Sequence, residues 1–97
     1  MLKILRSTNN ESVTLTLIGR IEGESLEELK RLRVSEANGH NLVVDMKDVT
    51  LVDQSAIRFL VRCEADSVTL ENCPAYIRDW IAAERRAERR RNRRRRP

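Results

Sequence analysis

The sequence has no apolar run near the ~20 residues that a membrane-spanning helix needs. Its opening, Met1-Leu2-Lys3-Ile4-Leu5-Arg6, is too short and too soon charged for a secretory signal. A soluble, cytoplasmic protein is expected. Only two cysteines occur, Cys63 and Cys73. Their separation is not the C-x-x-C spacing of a redox or metal site, and two is too few for a disulfide-stapled scaffold. Two unpaired, half-buried thiols in a reducing compartment are expected. The single histidine, His40, stands in Asn38-Gly39-His40-Asn41, a run of turn formers. Without a Cys or carboxylate at ligand spacing beside it, no zinc site is expected. A Ser/His/Asp set, a phosphate-cradling glycine loop and a convergent carboxylate pair are lacking too, and Asp45 with Asp48 reads as a strand-end turn. The chain is expected to be a non-enzyme, with no catalytic residue, no metal and no cofactor.

What is present is material for one small domain: 97 residues, 40% apolar and 35% charged. A chain of this size buries only about 60–65% of the surface its unfolded form exposes, so a large enclosed substrate cavity is not expected. The net charge of +4 conceals a division. Residues 1–83 carry 10 Lys/Arg against 13 Asp/Glu, a net of −3, and residues 84–97 carry 9 Arg against 2 Glu, a net of +7. The expected organisation is a domain over 1–83 and an arginine-rich tail over 84–97.

Alternation in Leu2-Lys3-Ile4-Leu5 and in Val13-Thr14-Leu15-Thr16-Leu17-Ile18, with turn formers between, predicts an antiparallel hairpin whose Val13, Leu15 and Leu17 face the core. Gly19 is expected to break the second strand. Ser25-Leu26-Glu27-Glu28 reads as a capping box that starts a helix; Leu26, Leu29 and Leu32 give its apolar stripe, and Asn38-Gly39 its stop. Asn41 to Met46 is apolar enough for a central strand. Lys47-Asp48 reads as a turn, followed by a short extended stretch from Val49 to Val52. Asp53 and Ser55 are two candidate caps for a second helix, with Ala56, Ile57, Phe59, Leu60 and Cys63 inward. Val68-Thr69-Leu70 predicts a brief strand. Asn72 as cap and Pro74 in the first turn then open a third helix with Ile77, Trp80 and Ile81 inward.

The predicted order is β-β-α-β-α-β-α, an α/β fold with a mixed four-stranded sheet and the helices on one face. The other face, lined by Lys3, Leu5, Thr14, Thr16, Ile18 and Val43, stays partly bare and offers a contact surface for a homodimer. From Glu84 onward no buried stripe is expected, although Glu-before-Arg pairing lets the third helix run on before the arginines repel one another.

This order, with Leu17-Ile18-Gly19-Arg20-Ile21-Glu22-Gly23 and the segment from Val43 to Ala56, resembles the STAS domain of bacterial anti-sigma factor antagonists. The resemblance covers residues 1 to about 83 and is most specific over Asp45 to Ala56. There the family reads hydrophobic strand, Asp, short turn, then D-S-S-G at a helix start. In phosphorylatable members the second serine is the switch. Ser55 occupies its place, Asp53 that of the aspartate, Gln54 replaces the first serine and Ala56 the glycine that lets a kinase backbone approach. The family's usual last strand and helix are not found after Ile81. The resemblance implies a regulatory protein-interaction module for transcription, a phosphoprotein that docks an anti-sigma factor with serine kinase activity. Ser55 would be the phosphoacceptor, and Asp53, Gln54, Ser55, Ala56 and Arg58 the partner-binding residues.

Other readings stay open. A serine at a helix start is also a cap, worth about 1 kcal/mol, and the chain could equally be an accessory STAS subunit, for example of a transport system. The tail (Arg85, Arg86, Arg89, Arg90, Arg91, Arg93, Arg94, Arg95, Arg96) reads as a solvated extension, a non-specific nucleic-acid contact, or a contact to an acidic protein or anionic membrane. It has no aromatic residue on which a base could stack, so phosphates rather than bases would be read.

Overall fold

The computed structural model of the protein describes residues 1–9, 11–36 and 41–95, and of 93–95 the backbone alone. The chain begins with β1 (Leu2–Thr8) and β2 (Ser12–Ile21), then α1 (Gly23–Ser35), β3 (Asn41–Val52), α2 (Gln54–Ala65), β4 (Thr69–Glu71) and α3 (Ala75–Arg95). β1 and β2 form the predicted antiparallel hairpin, with Thr8 opposite Val13. Between them Asn9 lends its Oδ1 to the N–H groups of Glu11 and Ser12 at 3.0 and 2.9 Å. β2 pairs in parallel with β3, and β3 with β4, giving a four-stranded mixed sheet in the order β1-β2-β3-β4.

All three helices cover one face of this sheet. Val13, Leu15, Leu17, Val44 and Met46 point into the layer, where they meet Leu26 and Leu29 of α1, Ile57, Leu60 and Cys63 of α2, and Ile77 and Ile81 of α3. On the opposite face Thr14, Thr16, Ile18 and Val43 are half-buried, and Lys3 and Leu5 exposed, as expected of a sheet face that no helix covers.

Several local expectations need correction. β2 does not end at Gly19 but runs through it to Ile21. Gly19 takes φ +109°, and a Cβ there would lie 2.6 Å from the Met1 carbonyl oxygen, which accepts the N–H of Arg20. The glycine allows that close approach instead of stopping the strand. α1 starts at Gly23, with Glu22 as its cap residue and no side-chain cap bond, so Ser25 lies inside the helix and the capping box does not form. α1 ends at Ser35, before Asn38-Gly39, which with His40 lies outside the described residues.

Lys47-Asp48 is no turn: β3 is a single strand of 12 residues. Its pairing with β2 slips between Thr16 and Ile18 and again between Gly19 and Arg20, each time with one extra residue on β3. Two bulges of this kind convert alternation into inward residues at every third position: Met46, Val49 and Val52 are buried, and Lys47, Asp48, Thr50 and Leu51 exposed. Asn72 is not a helix cap. It sits at φ +55° and donates from Nδ2 to Asp45 Oδ1 at 3.2 Å, while the carbonyl of Pro74 accepts the first bonds of α3 from Ile77 and Arg78. Trp80 is not inward; it is 36% exposed.

Candidate functional site at the start of the second helix

The bulged end of β3 delivers the chain to the N-terminus of α2. Asp53 adopts extended backbone and its Oδ1 accepts the N–H of Ala56 at 2.8 Å, so the aspartate, not the serine, caps the helix. Ser55 therefore stands at the second helical position, exposed, and its hydroxyl makes no hydrogen bond among the described residues. Gln54 is likewise exposed. Ala56 is fully buried, with its methyl group in the core. Of the expected partner-binding residues, Ala56 is the one whose side chain packs in the core.

Arg58, one turn along, faces solvent in part. Its Nε donates to Glu84 Oε1 at 3.3 Å, and Arg91 reaches the same oxygen at 3.1 Å. Glu84 is buried, so the two arginines satisfy a carboxylate that would otherwise be costly in the layer between α2 and α3. Arg85 adds an ion pair to Glu64. These pairs hold α2 and α3 side by side. The third helix is thus fixed to α2 beyond Glu84, and the first part of the expected tail is helical through Arg95, with a buried anchor. Arg96 lies outside the described residues.

The sequence reading missed two residues here. Tyr76, 53% exposed, donates its hydroxyl to the carbonyl of Thr50 at 3.1 Å, which ties the first turn of α3 to the strand end three residues before Asp53. Trp80 follows one turn later on the same helix face. Tyr76 and Leu51 thereby put aromatic and apolar surface at the strand end that leads into α2, and Trp80 exposes more of it further along α3. Of the chain's three aromatic residues only Phe59 is buried. The available signal was the helical spacing of Tyr76, Ile77, Trp80 and Ile81, which places two of the four off the buried stripe.

Both thiols are unpaired, Cys63 buried and Cys73 half-buried. Burial pushes the Cys63 thiol up to about 11 and raises that of Cys73 as well. Such thiols stay protonated near neutral pH and make poor nucleophiles. No group of three or more potential metal ligands occurs among the described residues. No helix among them is long and apolar enough to cross a membrane.

Residues 4–84 match the family described as Mlab, STAS domain, which spans most of the chain and ends where the buried anchor of α3 lies. The chain belongs to the STAS domain family. No curated protein matches it significantly. Membership makes this STAS domain a regulatory or interaction module in general terms.

Proposed function

We propose that this STAS domain is a non-enzymatic, cytoplasmic regulatory module of the anti-sigma factor antagonist kind. It docks an anti-sigma factor with serine kinase activity through the start of α2, and Ser55 is the phosphoacceptor. The observation that carries the reading is the division of labour at that helix start. Asp53 does the capping, so the Ser55 hydroxyl is exposed and free to react without loss of the helix. A phosphoryl group there adds about −1.5 to −2 charges beside the open amides of the first helical turn, which tolerate it, and close to the Asp53 carboxylate. The consequence falls on the partner, which meets a doubly acidic patch where a neutral hydroxyl stood. Tyr76 and Trp80 supply the kind of aromatic anchors that dominate docking energies.

A second reading, an accessory STAS subunit that docks without modification, is favoured by the departures at Gln54 and Ala56 from D-S-S-G. Incubation with ATP and an anti-sigma factor that has serine kinase activity, followed by mass spectrometry, separates the two. Phosphate on Ser55, with binding weakened in Ser55→Asp, supports the antagonist. An unmodified Ser55, with binding weakened by Trp80→Ala but equal for wild type and Ser55→Asp, supports the accessory subunit. Binding unaffected by all of these variants removes the α2 surface from both. Self-association through the bare sheet face belongs to the same proposal: a dimer in sedimentation that Val43→Lys dissociates supports it, and a monomer at high concentration refutes it.

A further inference from the structure

The second half of α3 has no part in the docking surface and carries charge of almost one sign. Past Ala87 the helix has no apolar residue, yet it continues through Arg95. It is held in place on one side by the buried Glu84 with Arg58 and Arg91, and by Arg85 on Glu64. Off this clasp it presents Arg86 and Arg90 outward and Arg89 at the rim of the groove beside α2, spaced at helical intervals of three and four, exposed and without an ion-pair partner among the described residues. One carboxylate, Glu88, accompanies the seven arginines from Arg89 to Arg96. Like charges on one helix face destabilise it, so a fixed cationic face is an electrostatic cost that a polyanion would relieve.

From this geometry we propose that the outer face of α3, centred on Arg86, Arg89 and Arg90, binds the phosphate backbone of double-stranded nucleic acid without sequence preference. Arginine suits phosphate because its planar fork donates two parallel hydrogen bonds to it. A duplex carries about one negative charge per 1.7 Å of axis, a dense and regular array for a straight helix. A bilayer surface fits less well, because an interfacial helix needs an apolar face to bury and this one has none. With no aromatic side chain on the arm, single-stranded bases have nothing to stack on.

The test uses the full chain with a fluorescent DNA duplex of random sequence, an RNA duplex, polyglutamate and vesicles rich in anionic lipid. Fluorescence anisotropy between about 50 and 200 mM salt should show duplex binding whose log affinity falls linearly with log salt. The variant Arg86→Gln/Arg89→Gln/Arg90→Gln should bind about tenfold or more weakly and with a slope shallower by about 2.7, near 0.9 for each phosphate no longer neutralised. An unchanged circular dichroism spectrum and melting temperature would show that the triple variant keeps its fold. Equal competition by unlabelled duplexes of different sequence is expected. Tight binding to DNA and RNA duplexes alike supports backbone recognition, and a preference for one of them names the source. Absence of duplex binding at low salt, an unchanged slope in the triple variant, or tighter binding to polyglutamate or to vesicles than to duplex would each overturn the proposal.

Discussion

Asp53 and Ser55 lie two residues apart in one helical turn and do different work, which makes them separable by substitution. Asp53→Ala removes the bond from Oδ1 to the Ala56 N–H and should cost about 1 kcal/mol. Ser55→Ala removes a solvent-facing hydroxyl and should stay within roughly 0.5 kcal/mol of wild type. Urea unfolding of both variants measures the difference; equal losses would return the capping role to the serine. The sequence offered both residues as caps because residue type alone qualifies either. The distinction depends on where the strand stops and the helix begins, and that is set by pairing with β2. Similarly, glycine in place 19 was legible as special, but its reason was not, since the Met1 carbonyl that approaches it lies just before β1, far away in sequence.

Elements with unbroken periodicity were legible: the hairpin, the apolar strand from Asn41, and the inward stripe of α2 all stand where alternation and helical spacing put them. The end of β3 was not, because its two bulges space Met46, Val49 and Val52 by three, a pattern that matches no regular strand. In α3 the Glu-before-Arg pairing signalled that the helix runs on, but its anchor was hidden, since that is a single buried carboxylate clasped by residues from two helices. Deleting residues 85–97 should therefore cost about 1 kcal/mol, the worth of the exposed Arg85–Glu64 pair and of one of the two arginines on Glu84, which keeps Arg58, and leave the layer of Ile77 and Ile81 intact. The same deletion should visibly lower the helical signal in circular dichroism. A loss of several kcal/mol, or no loss of helix signal, would show that the arm is packed differently. Within the clasp, Arg58→Met/Arg91→Met should destabilise more than Glu84→Gln, because it leaves a buried charge unpaired where the other change leaves arginines that water can reach.

For the whole molecule, the thiol in the core couples stability to alkaline pH. Cys63 has its ordinary value near 9 in the unfolded chain and about 11 when folded. Between these values the folded state holds the proton that the unfolded state has lost, so the contribution is complete below pH 9 and fades as pH rises towards 11. A shift of this size corresponds to on the order of 3 kcal/mol, and Cys73 shifts in the same direction. Urea midpoints measured across this range for wild type and Cys63→Ala should converge as pH increases; parallel curves would contradict it.

The order of the strands in space is their order along the chain, with no later strand inserted between earlier ones. Each strand thus adds to an edge that already exists when it leaves the ribosome: the hairpin first, β3 on its open side, then β4. Such stepwise growth lets each strand pair on an edge already formed, with one helix as the crossover for each parallel addition. Only the last helix, with Ile77 and Ile81, seals the layer, so the nascent chain exposes part of its apolar face until α3 emerges.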